Sequence, residues 1–320
     1  CDGYFKQIQP FINILIAIHN LEDQRPTLSM EINQMSNNAA IKEEYEINGY
    51  VVVPSLFNSD EVDLLRKTTD DIIESARGKS KSDSIHDLED SHDAAGAPKI
   101  RRIKDPVQQF DVYAALARNE KLLSIVRALL GDNVRFHNSK INIKLAEFGA
   151  AVEWHQDWAF YPHTNDAVLA VGVALEDLTK DNGPLMVVPG SHRGPVYDHH
   201  ADGAFCGAIA ASDVADQIKN AVPLIGPAGS ITIHHVRTLH GSAINRSAQA
   251  RPLLLISYTA ADAWPLMGIS DFHSFTNHLI SGSECTAARL EAVPVRMPLP
   301  AAAFQGSIYE NQRTQRDRAF

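Results

Sequence analysis

The run Trp154-His155-Gln156-Asp157-Trp158 is answered far downstream by Leu239-His240-Gly241-Ser242, with Arg251 following. In an extended strand, side chains at i and i+2 leave the backbone on one side, so His155 and Asp157 can grip one ion while Gln156 points away. The third ligand then has to arrive from another strand, and His240 supplies it. Two imidazoles and one carboxylate cover one face of a metal and leave three positions open, the donor set of non-haem Fe(II) oxygenases. A closed zinc site would leave no such room. His-x-Asp alone is common by chance, and the downstream half gives it weight.

A metal shared between distant strands asks for a sheet that folds back on itself. From Val134 onward the texture is one of short strands separated by Gly, Asn, Asp and Pro, around 134–145, 151–158, 168–176, 185–188, 230–235 and 252–260. That rhythm predicts a mainly β fold with flanking helices, a jelly roll or double-stranded β-helix of cupin type. Upstream, a helix is expected over 37–47, a strand at Tyr50-Val51-Val52-Val53, and a second helix capped at Ser59-Asp60-Glu61. A longer amphipathic stretch runs from Val112 to Leu130 before Gly131 ends it. The interval 78–98 is polar and without apolar period, so it reads as a loop whose His86 and His92 are solvated. The proline-rich C-terminal piece cannot continue the barrel and is expected to cover one end of the site.

With these motifs in order, the chain resembles the phytanoyl-CoA dioxygenase family of Fe(II)- and 2-oxoglutarate-dependent oxygenases, which includes ectoine hydroxylase. The resemblance spans about residues 45 to 262 and rests on Asn48-Gly49-Tyr50, His137 to Lys144, Trp154 to Asp157, Asn182-Gly183-Pro184, Val188-Pro189-Gly190-Ser191-His192, and His240 to Arg251. It implies His155, Asp157 and His240 as iron ligands. Arg251 and Ser242 would hold the far carboxylate of 2-oxoglutarate, since a guanidinium binds a carboxylate through two parallel hydrogen bonds. Asn142 and Asn138 match positions that contact the co-substrate. Related halogenases put a small residue where Asp157 stands, so hydroxylation of an unactivated C–H bond with O₂, releasing succinate and CO₂, is expected instead. Desaturation, cyclisation or epoxidation on the same iron core is one alternative, and a non-catalytic metal-binding jelly roll is another.

Residues beside the metal motif are the candidates for substrate contact: Trp158, Phe160 and Tyr161 as pocket walls, and Arg237 for an acidic group. Arg101, Arg102 and Lys104 form a further basic group, read by default as a solvated charge run. His192 is read as structuring its loop, while His234 and His235 alternate, so only one can face inward.

At 320 residues and 44% hydrophobic content the chain can bury a large core, and one domain over 36–320 with its jelly-roll core at about 134–262 is expected. Residues 1–35 are read as an N-terminal extension, with a docked helix as the alternative. A net charge of −10, from 39 acidic and 29 basic residues, argues against nucleic acid or an anionic membrane as partner and favours a small-molecule substrate for a monomer or homodimer. Three cysteines without CxxC spacing indicate neither a disulfide framework nor a zinc knuckle, which fits a cytoplasmic setting.

Overall fold

The computed structural model describes residues 36–146, 150–301 and 307–320; the extension expected at 1–35 lies outside them. Helix α1 covers 36–48 and leads into β1 (Tyr50–Val53) and α2 (Ser59–Glu74). The cap of α2 is Asn58 and not Ser59: its side chain accepts from Glu61 N, and the Glu61 carboxylate accepts from Asn58 N in return. Next come β2 (His86–Leu88), β3 (Ile100–Lys104), α3 (Pro106–Gln109), α4 (Asp111–Ala117) and α5 (Glu120–Leu130). The single amphipathic helix expected over 112–130 is therefore two, because Asn119 leaves helical geometry and caps α5.

The remaining strands are β4 (Val134–Lys144), β5 (Val152–His155), β6 (Val168–Ala174), β7 (Met186–Val187), β8 (His200–Ala201), β9 (Ala204–Phe205), β10 (Val222–Pro223), β11 (Ile231–His235), β12 (His240–Ser242), β13 (Arg251–Ala260) and β14 (Leu279–Ser281). Short helices α6 (Ala211–Val214), α7 (Phe272–Asn277) and α8 (Ile308–Asn311) lie among and after them. Strand β8 pairs separately with β9, one large sheet has the order β1-β11-β6-β13-β4-β3-β2 with β14 alongside β4, and a smaller one has the order β10-β7-β12-β5. These are the two walls of a jelly roll, and β1 to β3 extend the large wall beyond the core expected from Val134 onward.

Alternation along the large sheet sets its two faces. Ile141 and Ile143 of β4, Val171 and Val173 of β6, Ile231 and Ile233 of β11, and Leu254 and Ile256 of β13 join Ile41, Leu65, Ile72, Leu122 and Val126 of the helices in one buried cluster. The intervening residues, Lys140, Asn142 and Lys144 of β4, His234 of β11 and Leu253 and Leu255 of β13, face the small sheet and line an interior cavity.

The interval 78–98 is more ordered than its composition suggests. It contains β2, and His86 is 1% exposed, with Nδ1 on the Asp83 carboxylate and Nε2 near Ser75 Oγ and Ile72 O. The expectation of a solvated histidine fails because β2 pairs with β3 and carries His86 under α2. Arg101 is likewise inside, 5% exposed and facing Asp87, Asp90 and Glu310. Among the described residues no helix is long and apolar enough to cross a membrane.

Candidate active site

His155 is the last residue of β5, Gln156 stays extended at φ −121° and ψ 128°, and Asp157 opens a short turn, Asp157–Ala159. The strand thus stops two residues before Asp157, and the extended Gln156 alone keeps both ligands on one side. Gln156 is clamped: its N–H donates to His199 Nε2 at 2.8 Å, its side-chain amide donates to Pro195 O and Arg237 O, and its Oε1 accepts from Tyr197 N. All these bonds lie away from His155 and Asp157, so the backbone between the two ligands is pinned.

His240 opens β12 and is the register partner of His155. Candidate ligand atoms of His155, Asp157 and His240 all lie within 4.8 Å of one another, with the two Nε2 atoms 3.8 and 3.9 Å from Asp157 Oδ1. Each imidazole places Nδ1 at 2.8 Å from a carbonyl two residues earlier, Glu153 O and Thr238 O. A carbonyl only accepts, so both Nδ1 atoms carry the proton and both Nε2 lone pairs face the shared space. Burial lowers the His155 pKa to about 4 and that of His240 well below the usual histidine range. For Asp157 burial pushes upward, but the hydrogen bond with His234 and the field of the surrounding basic side chains, Lys140 among them, outweigh it and hold the carboxyl well below its usual range. Neutral imidazoles and an ionised carboxylate are the forms a cation requires.

The other end of the cavity is cationic. Arg251 starts β13 opposite Lys144 of β4. It is 2% exposed and donates to Gly183 O at 2.6 Å and Asn182 O at 3.4 Å, while Lys144 Nζ donates to Ser242 O at 3.2 Å and to Ala243 O. Burial lowers Arg251 to about 10, and burial together with Arg251 takes Lys144 well below its usual value. Among the described residues neither cation has an acidic partner. Two adjacent buried cations carry a desolvation cost that a bound anion would offset, so the donor set fits the far carboxylate of a keto diacid. The backbone that receives Arg251 depends on glycine: Gly183 has φ +68°, and a Cβ there would stand 2.7 Å from Ala243 O and 2.9 Å from Lys144 Cδ.

Of the residues singled out in the sequence, Ser242, Asn142 and Tyr161 line the cavity with the triad and Arg251. Asn138 is not among its lining residues, lying farther along β4. Trp158 is 1% exposed in a separate apolar cluster, its indole donating to Pro294 O at 3.0 Å. Phe160 stands edge-on to the His155 ring and against Phe205, supporting a ligand from behind. Arg237 reaches Asp166 at 3.0 Å and Gly194 O at 2.8 Å and lines a different cavity. His192, as expected, ties its loop to Glu46 O at the end of α1.

The lining residues not singled out beforehand include the polar Lys140, Lys144 and Ser257 and, from the C-terminal segment, Ile308 and Tyr309. Two of them were within reach of the sequence: once Asn142 is placed inward, strand alternation places Lys140 and Lys144 inward too. Of the pair His234-His235, it is His234 that enters the cavity, with Nε2 at 3.3 Å from Asp157 Oδ2.

The profile of the Phytanoyl-CoA dioxygenase (PhyH) family matches residues 45–253. A protein from Stutzerimonas stutzeri named a probable alpha-ketoglutarate-dependent hypophosphite dioxygenase is 40% identical over 274 residues, covering 84% of this chain and 95% of its own. The L-proline trans-4-hydroxylase of Streptomyces griseoviridis is 34% identical over 53% of this chain and 71% of its own. Among solved structures, EctD from S. alaskensis with bound Fe superposes with a TM-score of 0.61 at 26% identity, covering 79% of this chain and 86% of that one.

Proposed function

Because the chain belongs to the phytanoyl-CoA dioxygenase family, we propose that it is an iron- and 2-oxoglutarate-dependent dioxygenase that places one oxygen atom on a small substrate. The observation that carries this reading is the pairing, in one cavity, of a metal-ready triad with a buried Arg251 that has no acidic side-chain partner among the described residues. Fe(II) supplies O₂ activation at a metal with open positions. In the balanced reaction O₂ gives one atom to 2-oxoglutarate, which becomes succinate and CO₂, and one to the substrate, whose X–H bond becomes X–OH.

The chain's residues provide position and dryness. His155, Asp157 and His240 would hold the metal, with both histidines fixed in the ligating tautomer by Glu153 O and Thr238 O. Arg251, Ser242, Lys144 and Asn142 would hold 2-oxoglutarate at the far end. Ile308 and Tyr309 close that end, held by the Arg101–Glu310 ion pair at 2.9 Å and by Gln312, whose amide donates to Gly207 O. Asp157 would give that metal a carboxylate ligand where a halide would otherwise need room, which favours oxygen transfer over halide transfer.

The extensive match to the Stutzerimonas relative makes hypophosphite, whose only oxidisable bonds are P–H, the first substrate to test. A compact metabolite hydroxylated at carbon is the second, in line with the proline hydroxylase match. The decisive assay follows succinate from 2-oxoglutarate with Fe(II) and O₂, with and without each candidate. Stimulated succinate formation with stoichiometric oxidised product supports the reading, and undiminished turnover by His155→Ala or Asp157→Ala sinks it.

A further inference from the structure

β4 turns Lys140, Asn142 and Lys144 toward the cavity at every second residue, and the last two belong to the co-substrate end. Lys144 is the register partner of Arg251, whereas Lys140 pairs with Leu255. Four residues separate the two lysines, roughly 13 Å of strand at about 3.3 Å per residue. A keto diacid with its far carboxylate on Arg251 spans four C–C bonds of about 1.5 Å, at most about 6 Å. The Lys140 backbone is thus offset along β4 from the Arg251 end, and its charge acts on Asp157 and His155 of the triad.

Among the described residues Lys140 has no hydrogen bond and no acidic partner within ion-pair distance. A lysine usually lays its stem along apolar surface and keeps its ammonium in bulk water. Here the accessible part of the side chain faces the interior cavity, and the surrounding atoms lower its pKa through burial against the upward pull of Asp157. His234 Nδ1, on a second lining residue, is also without a partner. An amine left facing an enclosed space asks for a negative charge there.

The space is small. The cavity measures about 50 Å³, and a metal and a keto diacid would have to share it with any substrate, which leaves room only for a compact one. Tyr161 lines both this cavity and an outer one of about 300 Å³ that includes Phe136, His137, Phe275 and His278. Tyr161 is the wall the two cavities share, and Lys140 lines the inner one.

We propose that Lys140 is the anchor for a compact anionic substrate, which enters past Tyr161 and binds on the side of the metal away from Arg251. The proposal rests on the dioxygenase reading above and adds to it the charge and size of the substrate and the residue that selects them.

Calorimetry without O₂ tests it on protein loaded with Fe(II) and 2-oxoglutarate, using hypophosphite, formate and the larger zwitterions L-proline and ectoine as probes. Wild type should bind at least one small anion and neither zwitterion. Lys140→Met should weaken that anion tenfold or more, Lys140→Arg should stay within a few-fold of wild type, and the affinity of Lys140→Met for 2-oxoglutarate should stay within about twofold. Unchanged anion binding in Lys140→Met, loss of 2-oxoglutarate instead, or wild-type binding of only the zwitterions would each overturn the assignment. Succinate formation by wild type without any substrate reports separately on the dioxygenase reading, so the two can fail independently. Because Met matches the lysine stem and removes a buried charge, the variant should fold. A thermal melt at or above that of wild type checks this.

Discussion

Asp157 Oδ2 lies 3.3 Å from Nε2 of His234, while Oδ1 of the same carboxylate faces the Nε2 atoms of His155 and His240. His234 belongs to the large sheet, between Tyr50 of β1 and Ala170 of β6, whereas His240 belongs to the small one. The carboxylate is thus held between the two walls, with Oδ2 beside the His234 donor and Oδ1 turned toward the two candidate metal-binding imidazoles. Such an arrangement favours a one-oxygen ligand and keeps neighbouring coordination positions open. Outer partners of this kind are worth about 10–100-fold in metal affinity. His234→Phe should therefore bind Fe(II) weaker by about that factor in an anaerobic titration, and unchanged affinity would remove His234 from this role.

Arg251 supplies a second prediction. Removing one member of a buried charge pair costs about 2–5 kcal/mol, and at 1.4 kcal/mol per decade that is at least about thirtyfold in Kd. Arg251→Met should raise the Kd for 2-oxoglutarate accordingly while metal affinity changes little. Equal losses of metal and co-substrate would instead indicate that the variant disturbs β13 as a whole.

How far the sequence disclosed this site follows from how each residue gets there. His155, Asp157 and His240 were legible because the first two are local and the third carries the only donor type that completes the set. Strand alternation made the inward face of β4 legible once Asn142 was placed on it. Trp158 and Arg237 show where adjacency fails: the turn after Asp157 sends Trp158 toward Pro294, and Asp166 draws Arg237 to another surface, whereas Phe160 backs His155 and lines the outer cavity. Tyr309 enters from a segment whose position is set by Arg101–Glu310 and by Gln312 against Glu153. Those pairings join residues 209 and 159 positions apart, and no local pattern encodes them. Even the loop around His86 owes its order to α2 above it.

Tyr309 faces the cavity beside Arg251, which pulls its pKa down while burial pushes it up to about 12. Among the described residues its hydroxyl has no hydrogen bond, so it is available to a carboxylate on Arg251. A hydrogen bond to a charged group contributes about 1.5–3 kcal/mol. Tyr309→Phe should weaken 2-oxoglutarate about tenfold or more in the same calorimetry, with Fe(II) binding intact. An unaltered co-substrate affinity would make Tyr309 a wall and no more.

The outer cavity predicts a pH effect on stability. His163 is 3% exposed, its Nδ1 is 2.8 Å from Tyr161 O, and its ring meets that of His137 edge-on at 5.2 Å. Burial lowers His163 to about 4, and burial with the neighbouring His163 lowers His137 to about 3. A lowered histidine pKa means that the unfolded chain binds the proton more tightly, so the contribution is complete above the unfolded value of about 6.5 and is lost as pH falls. For His163 the loss between pH 6.5 and 4 is at most about 3 kcal/mol, at about 1.4 kcal/mol per unit. Asn at 163 keeps an N–H for Tyr161 O and cannot titrate. Urea unfolding of wild type and His163→Asn from pH 7.5 to 4.5 should therefore give curves that converge toward the acid end, wild type losing stability faster. Parallel curves would show that His163 is protonated as easily in the folded chain as in the unfolded one.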